Sequence, residues 1–206
     1  MEPELEENQK VQSIMKTFLD LREARTATLS MSQKAIRFAA NAHRKQSRAS
    51  GKPYISHPVE VGKIVKQFKT SHNIDALIAA AYLHDTIEDT NATYEDLVKM
   101  FGGLIANIVK ELTSEESGAD YKQKGKTQYL KDKMTNMSDW ALVVKLADRL
   151  HNVSDLGSKG GKGDEWGRKY KSQTQSILSE LEKSRTLTST QKKIVKAIRK
   201  KMDEFE

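Results

Sequence analysis

Two segments of the chain are apolar almost all round, a pattern typical of helices that are buried in a protein core. The first covers residues 74–88, and the second is "DWALVVKLADRLHNVSDL", residues 139–156. Both segments also contain ionisable side chains, which are costly to bury without a compensating partner. We therefore expect a fold in which these two helices are central and their charged groups share a partner.

The first segment ends in "YLHDTIEDT", which places four ionisable residues within six positions. Residues four apart share one face of a helix, so His84 aligns with Glu88, and Asp85 aligns with Asp89. A continuous helix over residues 74–88 would thus present an imidazole and a carboxylate, followed by two further carboxylates one turn later.

Asp148 poses the same problem inside the second segment, where Asn152 follows it on the same helix face. His57 lies at a predicted loop-to-helix junction in "PYISHP", a position that holds a side chain firmly. Imidazole and carboxylate ligands without thiolate suit Mn²⁺, Fe²⁺ or Zn²⁺, and the chain contains no cysteine. One divalent cation would offset the cost of burying His57, His84, Asp85 and Asp148 together.

The rest of the chain shows helical spacing as well, with only three prolines and no strand-like alternation. Helices are predicted over residues 10–24, about 30–45, 58–68 and 94–101, over a further segment that begins after a break at Gly102-Gly103, over about 126–137, and twice more before the C-terminus. The polar segment 114–126 is expected to be a mobile loop, and "GSKGGKGDEWG", residues 157–167, a linker or lid. The sequence therefore predicts an all-α bundle.

Composition narrows the classes of function. The formal net charge is +7, but acidic residues are spread along the chain and no nucleic-acid-reading motif is visible, so nucleic acid is not favoured as the main partner. No apolar run approaches the ~18 residues of a membrane span. The N-terminus is acidic and polar, unlike a signal peptide. We expect a cytoplasmic protein.

Three motifs carry a specific resemblance: "RASGKPYISHP", "YLHDTIEDT" and "VKLADRLHN". In this order and at these separations they resemble the HD-type hydrolase domain of the RelA/SpoT alarmone enzymes, over about residues 30–185. The resemblance implies a single-domain HD-type helical bundle with a buried mononuclear metal site. Residues 1–29 would form an N-terminal helical extension, and residues 186–206 a C-terminal helix packed on the same domain.

The same resemblance implies roles for particular residues. One Mn²⁺, or another divalent metal, would be held by His57, His84, Asp85 and Asp148. Glu88 and Asp89 would form the catalytic pair. Substrate-binding residues would be Arg48, Ser50, Lys52 and Asn152. Where the family loop has an Arg-Lys-Ser-Gly pattern, this chain has alanine in place of the lysine. The cations of this loop suit a ligand with several negative charges, although Arg44 and Lys45 are expected to be merely solvated.

The implied reaction is metal-dependent removal of the 3′-pyrophosphate of (p)ppGpp, with GDP or GTP and pyrophosphate as products. One alternative is an HD phosphohydrolase of another nucleotide, such as (p)ppApp, NADPH or a nucleoside monophosphate. A second is a non-catalytic alarmone-binding protein, which would have no need of Glu88 and Asp89. A role in neutralising a toxic alarmone synthetase also stays open, as do the purine preference and the oligomeric state.

Overall fold

The computed structural model describes residues 29–69, 73–114, 118–156 and 164–204. Within these ranges it contains helices and no strand; an isolated bridge joins Ser47 and Pro53. The helices are α1 (Met31–Ala42), α2 (Ser56–Phe68), α3 (Ile74–Leu83), α4 (Thr86–Asp89), α5 (Tyr94–Leu112), α6 (Ala119–Asn136), α7 (Asp139–Ser154), α8 (Asp164–Ser184) and α9 (Ser189–Asp203). The predicted all-α fold is confirmed. The helix expected over residues 10–24, and most of the glycine-rich segment, lie outside the described residues.

Serine or threonine side chains cap the N-termini of three helices, as the sequence predicts. In each case a Ser or Thr hydroxyl accepts a hydrogen bond from a backbone N–H of the first turn, and a side chain three residues later bonds back. The three capping boxes are Ser30 with Gln33, Thr93 with Asp96, and Thr188 with Gln191. These caps satisfy backbone donors that the helices leave unpaired.

The two apolar helices are central. Helix α3 packs against α1, α2 and α5, and α7 packs against α2, α5 and α9. The approach of α2 to α3 is close, since a methyl group at Gly62 would overlap the Tyr82 ring. This packing brings the first turn of α2 next to the C-terminal end of α3 and the middle of α7. None of the described helices is long and apolar enough to cross a membrane.

Helix α5 continues to Leu112 across a kink at Gly102, where φ is 80°, and two other boundaries also differ from the prediction. The helix expected over residues 74–88 is divided, because α3 ends at Leu83 and α4 is a separate single turn. The Thr86 hydroxyl donates to the Leu83 carbonyl at 2.7 Å, and the His84 Nδ1 lies 2.8 Å from the Ala81 carbonyl, so side chains satisfy the last turn of α3.

The second difference concerns the polar segment 114–126, for which the sequence predicts a loop. Residues 119–124 instead form the first turns of α6, and the helix bends at Gly125, where φ is 75°. Lys124 Nζ lies 3.6 Å from Asp120 one turn earlier and, across this bend, 3.0 Å from Asp132. Ion pairs between side chains therefore stabilise this part of α6, although it has no apolar face to bury.

Candidate functional site

Four side chains from three helical regions converge at the centre of the bundle. His57 Nε2 lies 3.2 Å from Asp148 Oδ1 and 3.7 Å from Asp85 Oδ2. His84 Nε2 lies 3.0 Å from Asp85 Oδ2 and 3.9 Å from Asp148 Oδ1. The donor atoms of His57, His84 and Asp85 all lie within 4.8 Å of one another. The residues predicted to hold a metal are thus brought together.

Local structure explains how each of these residues reaches the cluster. His57 is in the first turn of α2, directly after the loop that contains Pro53. His84 and Asp85 occupy the break between α3 and α4, where the chain leaves the α3 helix. Asp148 projects from the middle of α7 and is 8% exposed.

Neighbouring side chains orient two of these four residues, His57 and Asp148. The Nδ1 atoms of His57 and His151 are 2.9 Å apart, and the Asn152 side-chain amide donates to Asp148 Oδ1 at 2.6 Å. Lys145 Nζ lies 3.3 Å from the other carboxylate oxygen of Asp148. Such partners fix the orientation of ligand side chains around a metal.

The electrostatics of the cluster favour ionised carboxylates. Burial raises the pKa of Asp148, but Lys145 and the two neighbouring histidines outweigh it and hold that pKa well below its usual range. Burial likewise raises the pKa of Asp85, yet His84 holds it low. Burial lowers the pKa of His84, but Asp85 and Asp148 together raise it to about 9.

The geometry fits a divalent cation. His84 Nε2 is fully buried and, although it lies 3.0 Å from Asp85 Oδ2, it makes no hydrogen bond of suitable geometry among the described residues, and a buried polar atom is costly to leave unmatched. Ligand atoms about 2.0–2.2 Å from one ion and at right angles to each other are about 3 Å apart. The separations between imidazole and carboxylate atoms, 3.0–3.9 Å, lie between that value and the roughly 4 Å that separates two ligand atoms on opposite sides of one ion. The cluster can therefore hold a divalent metal.

Glu88 and Asp89 lie beside this cluster on the short helix α4. Glu88 Oε2 accepts a hydrogen bond of 2.7 Å from the backbone N–H of Ser114. Asp89 Oδ2 lies 3.1 Å from the Tyr54 hydroxyl, which is also 2.6 Å from Asp85 Oδ2. Burial is the largest cause that raises the pKa of both Glu88 and Asp89, and nearby Asp85 adds to it. Carboxyl groups with raised pKa values are suited to proton transfer near neutral pH.

The cluster borders an open cavity of about 940 Å³. All four residues predicted to bind substrate line this cavity: Arg48, Ser50, Lys52 and Asn152. Arg48 Nη2 donates to Asp155 Oδ2 at 2.8 Å and lies 3.4 Å from Asn152 Oδ1. Arg44 and Lys45 are exposed and are not among the lining residues.

Several residues at the site were missed by sequence reasoning. Tyr54 links Asp85 and Asp89, and Lys145 faces Asp148. Trp166 and Tyr170 of α8 also line the cavity, with their rings stacked at a centroid distance of 5.0 Å. Lys145 could have been recognised in the sequence, because it is a lysine inside an apolar run. The aromatic pair could have been recognised as well, because its spacing of four residues places both rings on one helix face.

Known proteins share this sequence pattern and this fold. The sequence model described as "HD domain" matches residues 35–187, most of the chain. The chain belongs to the HD domain family. The predicted resemblance to the RelA/SpoT enzymes is also confirmed. The bifunctional (p)ppGpp synthase/hydrolase SpoT of Escherichia coli is 38% identical over 129 residues, which are 61% of this chain and 18% of that protein.

Two further relatives support the same assignment. The GTP pyrophosphokinase rsh of Brucella melitensis is 42% identical over 127 residues, 60% of this chain and 16% of that protein. The chain thus spans less than a fifth of the length of these curated relatives. A solved structure of a metazoan orthologue of SpoT, described as hydrolysing ppGpp and acting in starvation responses, superposes with a TM-score of 0.68 at 26% identity. That similarity covers 84% of this chain and 96% of the other.

Proposed function

We propose that the chain is a metal-dependent hydrolase that removes the 3′-pyrophosphate of (p)ppGpp and releases GDP or GTP with pyrophosphate. The observation that carries this proposal is the convergence of His57, His84, Asp85 and Asp148 beside a cavity that Arg48 and Lys52 also line. The names of the relatives support the choice of an alarmone as substrate.

The four central residues would hold one divalent cation, and we propose Mn²⁺ because the donors are two imidazoles and two carboxylates. When bound, such a cation lowers the pKa of a coordinated water towards ~7 and stabilises negative charge on phosphoryl oxygens. The His57–His151 contact and the Lys145–Asp148 ion pair would hold the ligands in orientation.

Glu88 and Asp89 would move protons during the reaction. Water attacks the phosphorus that is bonded to the 3′ oxygen, and the bond between these two atoms breaks. One carboxylate of the pair accepts a proton from the water, and a protonated carboxyl of the pair donates one to the departing 3′ oxygen. The pKa values of both groups are raised, which suits each of them to proton transfer.

Arg48 and Lys52 would bind phosphate groups of the nucleotide. Arg48 pairs with Asp155 at the cavity wall, and Asn152 lies next to it. A guanidinium binds phosphate oxygens through paired hydrogen bonds, so phosphate would replace the Asp155 carboxylate as its partner. Ser50, exposed in the same loop, would add a hydroxyl donor.

The domain organisation and the cellular compartment of the protein are also proposals. Helix α9 packs on α7, which supports one domain that includes the C-terminal helix. A nucleotide substrate is consistent with action in the cytoplasm, and we propose that compartment for the enzyme.

Removal of the metal tests the proposal. Chelation of the purified protein should abolish hydrolysis of ppGpp, and added Mn²⁺ should restore it. His84→Ala and Asp148→Ala should fail to bind the metal in elemental analysis, and the metal should no longer raise their melting temperatures, since it stabilises only a native state that binds it. Full activity in a protein shown to be free of metal would contradict the proposal.

A further inference from the structure

Three residues form a stacked series at the side of the cavity. The Arg149 guanidinium lies 5.0 Å from the centroid of the Tyr170 ring. The Tyr170 ring in turn stacks on the Trp166 ring at 5.0 Å, with an angle of 15° between their planes. Trp166 and Tyr170 are about one helical turn apart on α8, so one helix face carries both rings.

The inner end of this series is anchored in the core. Arg149 is 3% exposed and donates from Nη1 to the Thr174 hydroxyl at 2.8 Å. The Thr174 hydroxyl also lies 2.7 Å from the Tyr170 carbonyl, one turn earlier on α8. The contacts hold the Tyr170 ring against a fixed guanidinium, and this restricts how the Trp166 ring can tilt.

The outer end of the series is partly exposed. Trp166 is 37% exposed, and both it and Tyr170 line the cavity that contains Arg48 and Asn152. Tyr54, another aromatic residue of this lining, is engaged differently: its hydroxyl faces Asp85 and Asp89, and its ring stacks on His43. Among the tyrosine and tryptophan residues that line the cavity in the described part of the chain, Trp166 and Tyr170 are therefore placed to offer a ring face to a planar ligand.

We propose that Trp166, supported by Tyr170, is a substrate-binding residue that stacks on the purine base of the bound nucleotide. The identity of the substrate in this inference rests on the proposed function. The stacking of a base on Trp166 does not depend on which nucleotide is hydrolysed. The cavity supplies cations for phosphate at Arg48 and Lys52, and an aromatic face for a base at Trp166. Because every base has a π-face, stacking tolerates both guanine and adenine.

Fluorescence gives a direct test, since the chain contains two tryptophans. The other, Trp140, is half-buried at the start of α7, so Trp140→Phe leaves Trp166 as the reporter. GDP and ADP should quench the emission of this variant in a saturable way, whereas ribose 5-phosphate, which has no base, should not. Equal quenching by ribose 5-phosphate, or no quenching by either nucleotide, would overturn the proposal.

Kinetics give a second test with a different readout. Trp166→Ala should raise KM for ppGpp about 5- to 100-fold, the range expected for one lost base stack, and should change kcat by less than about 3-fold. Trp166→Phe, which keeps an aromatic face, should recover most of the lost affinity. An unchanged KM in Trp166→Ala, with the melting temperature preserved, would contradict the stacking role.

The two proposals fail in different ways. If the protein hydrolyses none of the alarmones, yet GDP and ADP still quench Trp166 while ribose 5-phosphate does not, the stacking role stands and the proposed reaction is wrong. If ppGpp is hydrolysed by the wild type and by Trp166→Ala with the same KM, the reaction stands and the stacking role is wrong.

Discussion

The Nδ1 atoms of His57 and His151 lie 2.9 Å apart, although 94 positions separate the two residues in the sequence. A proton donated from His57 Nδ1 to His151 Nδ1 leaves His57 Nε2 to face Asp85 and Asp148 as a ligand atom. Burial and the neighbouring His57 lower the pKa of His151, which favours the neutral ring whose Nδ1 can accept that proton. His151 is therefore a positioning residue for a metal ligand.

We predict that His151→Phe weakens Mn²⁺ binding about 10- to 100-fold, the usual cost of losing a partner of a ligating histidine. His151→Gln, which keeps an acceptor, should lose less. Isothermal titration of the metal-free proteins measures both dissociation constants. The positioning role is wrong if His151→Phe binds the metal as tightly as the wild type.

Glu88→Gln and Asp89→Asn should keep the fold and the metal but lower kcat by ~10²–10⁴-fold, the usual contribution of proton transfer by a positioned side chain. Glu88→Gln retains a side-chain carbonyl that can still accept from the Ser114 N–H, so the local structure is preserved. The double variant should lose less than the product of the two single effects. Loss of metal from either single variant would identify that residue as a ligand instead.

The residues of the central site could be predicted because they are charged or polar within segments that are otherwise apolar. His84, Asp85 and Asp148 are ionisable groups within apolar helical segments, and sequence reasoning can ask what compensates them. The break before Thr86 was not predictable, because it contains neither glycine nor proline. It depends on hydrogen bonds from the Thr86 hydroxyl and the His84 ring to carbonyls of the preceding turn.

Residues that act through a neighbour were harder to recognise. Lys145 in an apolar helix has the pattern of a lysine that extends its ammonium group to solvent. Only the packed structure shows its Nζ 3.3 Å from Asp148. The Glu88–Ser114 contact joins residues 26 positions apart, and no local pattern indicates it.

Arg48→Ala should raise KM for ppGpp by roughly tenfold and leave kcat nearly unchanged, because a contact to the ground state contributes uniform binding. Arg44→Ala is a matched control: Arg44 lies four residues earlier but outside the cavity lining, and donates to the Asn41 carbonyl. Equal effects of the two changes on KM would indicate general electrostatic attraction rather than a specific contact. A large loss of kcat in Arg48→Ala would contradict the binding role.

Stability at low pH should depend on Asp75, which joins the beginnings of α1 and α3. Burial raises the pKa of Asp75, but hydrogen bonds from the Ser32 hydroxyl and backbone N–H outweigh it and hold that pKa below its usual value. A lowered pKa means that the ionised form stabilises the fold above the ordinary pKa, and that this contribution is lost as the pH falls through the folded-state pKa.

Asp75→Asn should therefore destabilise the protein by about 1 kcal/mol at pH 7, the typical value of a partly exposed hydrogen bond. The difference in the free energy of unfolding between this variant and the wild type should become smaller below about pH 4. Chemical denaturation across about pH 3–7 measures it, with Asp203→Asn at the exposed end of α9 as a control that should change little. If the difference in the free energy of unfolding stays constant across this pH range, stability does not depend on the ionisation of Asp75 and the prediction is wrong.

The buried His/Asp cluster is proposed to serve hydrolysis at the 3′ position of an alarmone. The most direct measurement is to incubate the Mn²⁺-loaded protein with ppGpp and to separate and identify the products. The account predicts GDP, with its 5′-diphosphate intact, and one equivalent of pyrophosphate. Orthophosphate as the primary product, or unchanged ppGpp in the presence of a protein shown to contain the metal, would contradict it.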